Sequence, residues 1–280
     1  MPFKKKVNKD FFIKDNRIHL SKEFFDSNKP KKITGSRLAT VLGFDSYSSP
    51  VKAWAIMNNI YFETMDPIYS DAGNIIEPKI NKYVSELLDT KFKVYNPFEI
   101  KWDAFPENKI FGGIPDGEPI DSNNQFLYPE KGMLEIKTTS LDSFLFKKIG
   151  NNFVLQKNPK GLPIVKTENG NLKKWFDDKD QIIIPRQYLM QLGLYCYLRN
   201  ISKGVFAIAF LNVEDYLYPK KVDVTKRRVE LVNFDLELED FKNTYINNAT
   251  KWYEDFIVTG ISPEFSEADL KWFYSEVENE

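Results

Sequence analysis

Residues 132–138 read Gly-Met-Leu-Glu-Ile-Lys-Thr, and this alternation of apolar and charged positions fits a β-strand. Successive side chains of a strand point to opposite faces, so Glu135 and Lys137 share one face and Leu134 and Ile136 the other. The apolar face needs helices over it, which already implies a layered fold around a sheet. Ile114-Pro115-Asp116-Gly117 ends an earlier strand, and a hairpin would bring Asp116 beside Glu135. Two carboxylates a few ångströms apart repel each other unless one is protonated or a cation lies between them.

The chain offers few alternatives for that cation. It contains one His (His19) and one Cys (Cys196), too few for a zinc site or an internal disulfide. Ser-His-Asp and Cys-His catalysis are disfavoured for the same reason. A hard, oxygen-seeking ion, Mg²⁺ or Mn²⁺, suits a pair of carboxylates. Lys137 adds a positive charge where an attacking water would stand. A Lys packed beside a metal can have a lowered pKa and act as, or orient, the base.

The length of 280 residues suffices to bury a sizeable core. No apolar run reaches the ~20 residues of a membrane span, which argues for a cytoplasmic protein. The net charge of −1 conceals an asymmetry. Residues 1–37 carry 11 Lys and Arg against 4 Asp and Glu, whereas residues 230–280 carry 3 against 13. A basic front end suits a polyanion such as nucleic acid.

The spacing predicts an α/β chain with a central mixed sheet flanked by helices. A short helix, capped by Thr34 or Ser36, stops at Gly43, and Ser49-Pro50 opens another through Met57. A longer one starts at Ser70 or Asp71 and carries Ile76, Ile80, Val84 and Leu88 on one face. Strands are expected at 91–102, 110–116, 132–138, 203–213 and 220–232, and helices at 141–148, 185–198 and 234–258. Residues 151–183, rich in Asn, Pro and Gly, read as an inserted excursion. The chain divides as one domain: a basic arm (1–28), a core (29–200) and C-terminal strands, helix and acidic tail (201–280). Cys196, Trp252, Tyr253 and Phe256 read as packing residues, and His19 as structural or exposed.

Two further features flank the acidic pair. Glu77 is followed by Pro78 inside an otherwise regular helix, a local rule broken beside an acid. Tyr188, Gln191 and Tyr195 fall on one helical face. There Gln191 can meet a phosphate or an attacking water, and Tyr195 can brace it.

At these residues the chain resembles the lambda-exonuclease/YqaJ-like branch of the PD-(D/E)xK nuclease superfamily. The resemblance spans about residues 29–200. It is carried by Ile33-Thr34-Gly35-Ser36, Tyr47-Ser48-Ser49-Pro50, Gly73-x-x-x-Glu77-Pro78, Pro115-Asp116-Gly117, Leu134-Glu135-Ile136-Lys137 and Gln191-x-x-x-Tyr195. It implies that Asp116, Glu135 and the Ile136 carbonyl hold Mg²⁺ and that Glu77 joins through water or a second ion. Lys137 and Gln191 would handle the nucleophile. It also implies a 5′-phosphate grip by Ser36, with Lys29 standing where the family tends to have Arg. Lys32 or Arg37 could serve instead, and Tyr195 would stand with these DNA-contacting residues. The implied function is a 5′-to-3′ exonuclease resecting duplex DNA ends for recombination, with a single-strand annealing partner and a ring-shaped oligomer. An endonuclease of the same fold and a catalytically silent DNA-binding module remain open as alternatives.

Overall fold

The computed structural model describes residues 7–62, 67–149 and 152–277. A hairpin of β1 (Phe11–Lys14) and β2 (Arg17–Leu20) leads through α1 (Lys22–Ser27) to β3 (Ile33–Thr34), which runs directly into α2 (Gly35–Val41). Helices α3 (Pro50–Met57) and α4 (Pro67–Leu87) precede the short strands β4 (Lys91–Lys93), β5 (Phe111–Gly112) and β6 (Glu118–Ile120). The long β7 (Met133–Ser140) follows. Next come four short strands, β8 (Ser143–Phe144), β9 (Phe146–Ile149), β10 (Asn152–Leu155) and β11 (Val165–Thr167). Helix α5 (Arg186–Arg199), β12 (Lys203–Leu211), α6 (Val213–Leu217) and β13 (Arg228–Asp235) complete the centre. Helices α7 (Leu238–Phe241), α8 (Asn247–Trp252) and α9 (Glu267–Val277) close the chain.

The central sheet is mixed. β12 pairs antiparallel with β13 and parallel with β7. Gly117 exchanges both backbone hydrogen bonds with Leu134, which joins the β6–β4 pair to the other edge of β7. Alternation along the strands separates two cores. Leu134, Ile136, Val205, Ala207 and Ala209 pack with Ile76, Ile80 and Val84 of α4. Met133, Phe206, Ile208 and Phe210 pack with α2, α3 and α5 on the opposite face. At roughly 25 cal/mol per Å² of apolar area, burial on both faces is the main force holding these layers together.

Local signals account for the helix ends. Ser49 Oγ accepts from Lys52 N–H with Pro50 in the first turn, and α5 stops at Asn200 in the left-handed conformation. Pro78 lies inside α4 without ending it. Among the described residues no helix is long and apolar enough to cross a membrane.

Several expected elements differ. Residues 141–148 were expected to be helical but form β8 and β9, because they find strand partners at 165–167 and 152–155. The expected strand over 91–102 ends at Lys93. Asn96 Oδ1 accepts from Phe98 N–H, and Lys101 and Trp102 take positive φ, so the chain turns there. The strand expected from Lys220 begins only at Arg228 and runs on to Asp235. The last long helix is interrupted by π turns at Lys242–Ile246 and Tyr253–Ile257. Within the expected basic arm, residues from Phe11 onward are folded in: Phe11 and Ile18 are fully buried. Ile18 N–H donates to Ser262 Oγ, and Leu20 N–H to the Gly260 carbonyl. The acidic tail beyond Ile261 packs back with Phe265 and Phe273 in the core. Lys4, Lys5 and Lys6 lie outside the described residues.

Candidate active site

The β7 alternation puts Glu135 and Lys137 on the face covered by α5. Gly117 pairs with Leu134, and this register sets Asp116 next to Ile136, whose N–H donates to Asp116 Oδ2 at 2.7 Å. Asn81 of α4 donates from Nδ2 to the Asp116 carbonyl at 3.4 Å. The Asp116 carboxyl lies against that of Glu135. Lys137 Nζ donates to Glu135 Oε1 at 2.7 Å and to Gln191 Oε1 at 3.1 Å. The Tyr188 ring lies 4.7 Å from the same ammonium. Glu135 is completely buried, yet its Oε2 has no hydrogen-bond partner.

The electrostatics follow from this crowding. Burial, then repulsion by Asp116, pushes Glu135 up to about 8 despite Lys137. Burial and Asp116 push Glu77 up to about 7. Burial also raises Asp116, against the pull of Lys137 and the Ile136 amide. Burial alone would lower Lys137, but Glu135 and Asp116 outweigh it, and its pKa is raised. Without a bound ion, Lys137 is thus held as an ammonium and serves as counter-ion to the two carboxyls.

One ammonium thus faces three carboxylates, one of which carries an oxygen without a donor. A hard divalent cation fits that deficit and an all-oxygen donor set. Among the described residues no three acidic, His or Cys side chains are gathered into a group able to hold an ion by themselves. An ion here would rest on Asp116 and Glu135, with Glu77 contributing from farther away.

Of the residues expected at the DNA end, Ser36 and Arg37 lie on α2 and Tyr195 on α5, which packs against it. A Cβ on Gly35 would sit 2.8 Å from Gln191 Cγ and 2.9 Å from Tyr195 Cζ, so only glycine allows α2 this close to α5. Gly113 has φ +124°, and a Cβ there would meet Tyr195 Oη at 2.7 Å. The buried Tyr195 hydroxyl is bonded to the backbone at Gly35 and Ile114, and its ring stacks on Phe105. It therefore braces the two segments that carry Ser36 and Asp116. Ser36 is exposed one residue into α2, 3.1 Å from Thr34 Oγ1, and Arg37 Nη1 reaches the same hydroxyl at 3.4 Å. Lys29 is exposed. Lys32 is committed elsewhere: its Nζ lies 2.5 Å from Asp103 Oδ2 and 3.0 Å from the Phe105 carbonyl.

Sequence reasoning missed a second buried ionic group. Arg199 makes a bidentate pair with the fully buried Glu118, 2.6 Å from Nε to Oε1 and 3.0 Å from Nη2 to Oε2. Tyr95 and Tyr128 donate to the same carboxylate. Glu118 stands two residues beyond Asp116, so the pair ties β6 to the end of α5, the helix that bears Gln191. The only signal in the sequence is a charged residue within an otherwise apolar strand, at Glu-Pro-Ile.

A mixed sheet that presents Asp116, Glu135 and Lys137 beneath a helix bearing Gln191 is the arrangement of a PD-(D/E)xK-type core. Residues 25–198 match the family model of the YqaJ-like viral recombinase domain. The chain belongs to this family, a nuclease family related to lambda exonuclease. Two similar relatives are uncharacterized proteins of Mycoplasma genitalium and Mycoplasma pneumoniae. They are 44% and 45% identical over 275 residues, covering 97% of this chain and 98% of each relative. Among solved structures, an alkaline exonuclease from Laribacter hongkongensis aligns with a TM-score of 0.47 at 12% identity, covering 92% of this chain and 99% of that one. A phage-related exonuclease from Haemophilus somnus aligns with a TM-score of 0.45 at 16% identity, covering 82% and 96%.

Proposed function

We propose that this protein is a Mg²⁺-dependent deoxyribonuclease that resects duplex ends from the 5′ side, with Mn²⁺ able to replace Mg²⁺. The observation that carries this reading is the juxtaposed Asp116–Glu135 pair, with Glu135 Oε2 lacking a partner, beside the Lys137–Gln191 contact. Asp116, Glu135 and the Ile136 carbonyl would hold the ion, and Glu77 would reach it through water. When bound, the ion lowers the pKa of a water and screens charge developing on the phosphate. The chain's own residues position the rest. Lys137 enters as an ammonium, so it donates toward a phosphate oxygen. Gln191, held by Lys137 through Oε1, is placed to orient the attacking water, and Tyr188 shields the ammonium from solvent.

Ser36, Arg37 and Lys29 supply donors near the strand end, with Ser36 linked to the catalytic helix through the Gly35–Gln191 contact. Duplex DNA ends are the proposed substrate, and a single-strand annealing protein the proposed partner. The test is digestion of end-labelled linear duplex, with and without a 5′-phosphate, alongside covalently closed plasmid. Metal-dependent loss of the 5′ strand with the closed circle intact is expected. Scission of the closed circle would reassign the protein as an endonuclease, and binding without cleavage would make it a silent DNA-binding module.

A further inference from the structure

Residues 143–175 carry seven Lys and one acid, Glu168, in a chain whose net charge is −1. They hold β8 to β11 and are built onto the end of the catalytic strand. Asn171 Nδ2 donates to Ser140 Oγ at 2.7 Å, and the Asn171 and Leu172 amides donate to the Leu141 carbonyl. Trp175 stacks on Tyr188 at 5.8 Å, and Tyr188 covers the Lys137 ammonium. The lobe is therefore tied to the end of β7 and, through Trp175 and Tyr188, to the Lys137 ammonium.

Between lobe and strand lies a cavity of about 580 Å³. Its lining includes Thr138 and Thr139, directly after Lys137, together with Phe146, Lys166 and Lys174, and it contains no acidic residue. From this cavity the β9–β10 hairpin runs outward. Its register pairs Leu155 with Phe146 and Phe153 with Lys148, and cross-strand partners share a face. Phe146, Lys148 and Phe153 thus form an aromatic–basic–aromatic strip beginning at the cavity wall. Phe146 is 45% exposed and Phe153 70%, too much for core residues.

We propose that this lobe is a single-stranded-DNA-binding surface, in which Lys166 and Lys174 meet the phosphates in the cavity and Phe146 and Phe153 stack on bases. Alternating cations and exposed aromatic faces suit a flexible strand with unpaired bases, and a buried duplex offers no base face to stack on. Tied to the Lys137 side through the Trp175–Tyr188 stack, the lobe would receive the strand that adjoins the cleavage point. The inference rests on the nuclease reading for its place in the reaction, but not for its chemistry.

The test is binding of a labelled oligothymidylate by fluorescence anisotropy in Ca²⁺, across a salt series, for the full-length protein. Phe146→Ala with Phe153→Ala should weaken binding about tenfold or more, and Phe153→Tyr should restore part of it, since stacking survives. Lys166→Ala with Lys174→Ala should reduce the slope of log affinity against log salt by about 1.4, as each neutralised phosphate contributes about 0.7 on single strands. These side chains are exposed or at the cavity rim, so an unchanged melting curve is the folding control. Oligothymidylate affinity within twofold of wild type in both double variants overturns the proposal and leaves the face to a protein partner. Because the measurement needs no cleavage, the two readings fail separately. A protein that binds through the lobe but never cuts keeps the lobe and loses the nuclease assignment. One that cuts with no contribution from the lobe does the reverse.

Discussion

Lys137 holds one oxygen of Glu135 at 2.7 Å, while the other oxygen of the same buried carboxyl meets no donor. The site is built with more negative charge than its own residues neutralise. In the metal-free protein that excess is a cost to stability. Glu135 and Glu77 are shifted from 4.5 to about 8 and about 7. An acid whose folded pKa is raised binds more protons when folded, so its contribution to stability falls as pH rises from the unfolded value through the folded one. The metal-free melting temperature should therefore carry a component that declines between about pH 4.5 and 8, and saturating Ca²⁺ should remove it.

Asp116→Asn isolates the trade-off. The substitution removes one repelling charge yet keeps an oxygen for the Ile136 amide and leaves the Lys137–Glu135 pair intact. We expect the metal-free variant to melt higher at pH 8, by about 2–4 °C per kcal/mol relieved for a domain of this size. Mg²⁺-dependent cleavage should fall at least tenfold, and Glu135→Ala should abolish it equally. Calorimetry and single-turnover digestion check the two halves. A cleaving Asp116→Asn would remove Asp116 from the metal ligands.

Lys137→Ala separates chemistry from binding. Its ammonium is shared by Glu135 and Gln191, so its loss should lower the single-turnover rate far more than DNA affinity in Ca²⁺. If affinity collapses and the saturated rate survives, Lys137 is a phosphate clamp. The variant should also melt lower without metal, because it leaves Glu135 buried and uncompensated.

Arg199→Ala tests the second ionic group. Glu118 is fully buried and takes both guanidinium contacts, so removing Arg199 strands a charge, at a cost of about 3–5 kcal/mol. A fall in melting temperature is expected, and Arg199→Ala combined with Glu118→Gln should recover part of it. A melting temperature unchanged by the single substitution would mean that the pair contributes little to holding β6 against α5.

The Asp116, Glu135 and Lys137 constellation was legible because its cues are local: strand alternation and a Gly after the acid. Gln191 and Tyr195 were legible as one helical face. The relationships that escaped are nonlocal. Lys32 finds Asp103 71 residues away, and Arg199 finds Glu118 81 residues away. Nothing near Lys32 in sequence distinguishes it from a phosphate-seeking lysine. Residues 141–148 read as a helix because their strand partners lie beyond a turn, at 152–155 and 165–167. Ile18 and Leu20 are held by residues 260–262 and Phe11 packs on Phe273, at the other end of the chain, which the basic charge of the segment did not reveal.

The last prediction concerns the DNA end, where the structure separates residues that the sequence grouped. Lys32 is tied to Asp103 and the Phe105 carbonyl, and Phe105 in turn stacks on Tyr195. Lys32→Ala should therefore loosen the 103–113 segment and lower the melting temperature, with little selective effect on phosphorylated ends. Ser36 and Lys29 are exposed, and Arg37 flanks Ser36. Ser36→Ala with Lys29→Ala should leave the melting temperature near wild type and reduce the preference for 5′-phosphorylated over 5′-hydroxyl duplex. A hydrogen bond to a charged group contributes about 1.5–3 kcal/mol, so the preference should fall roughly tenfold or more. Digestion of matched duplexes, differing only in the terminal phosphate, measures it. If wild-type protein degrades both ends equally and releases nucleotides from the 3′ side, Ser36 has no part in end recognition and the direction assigned to the enzyme is reversed.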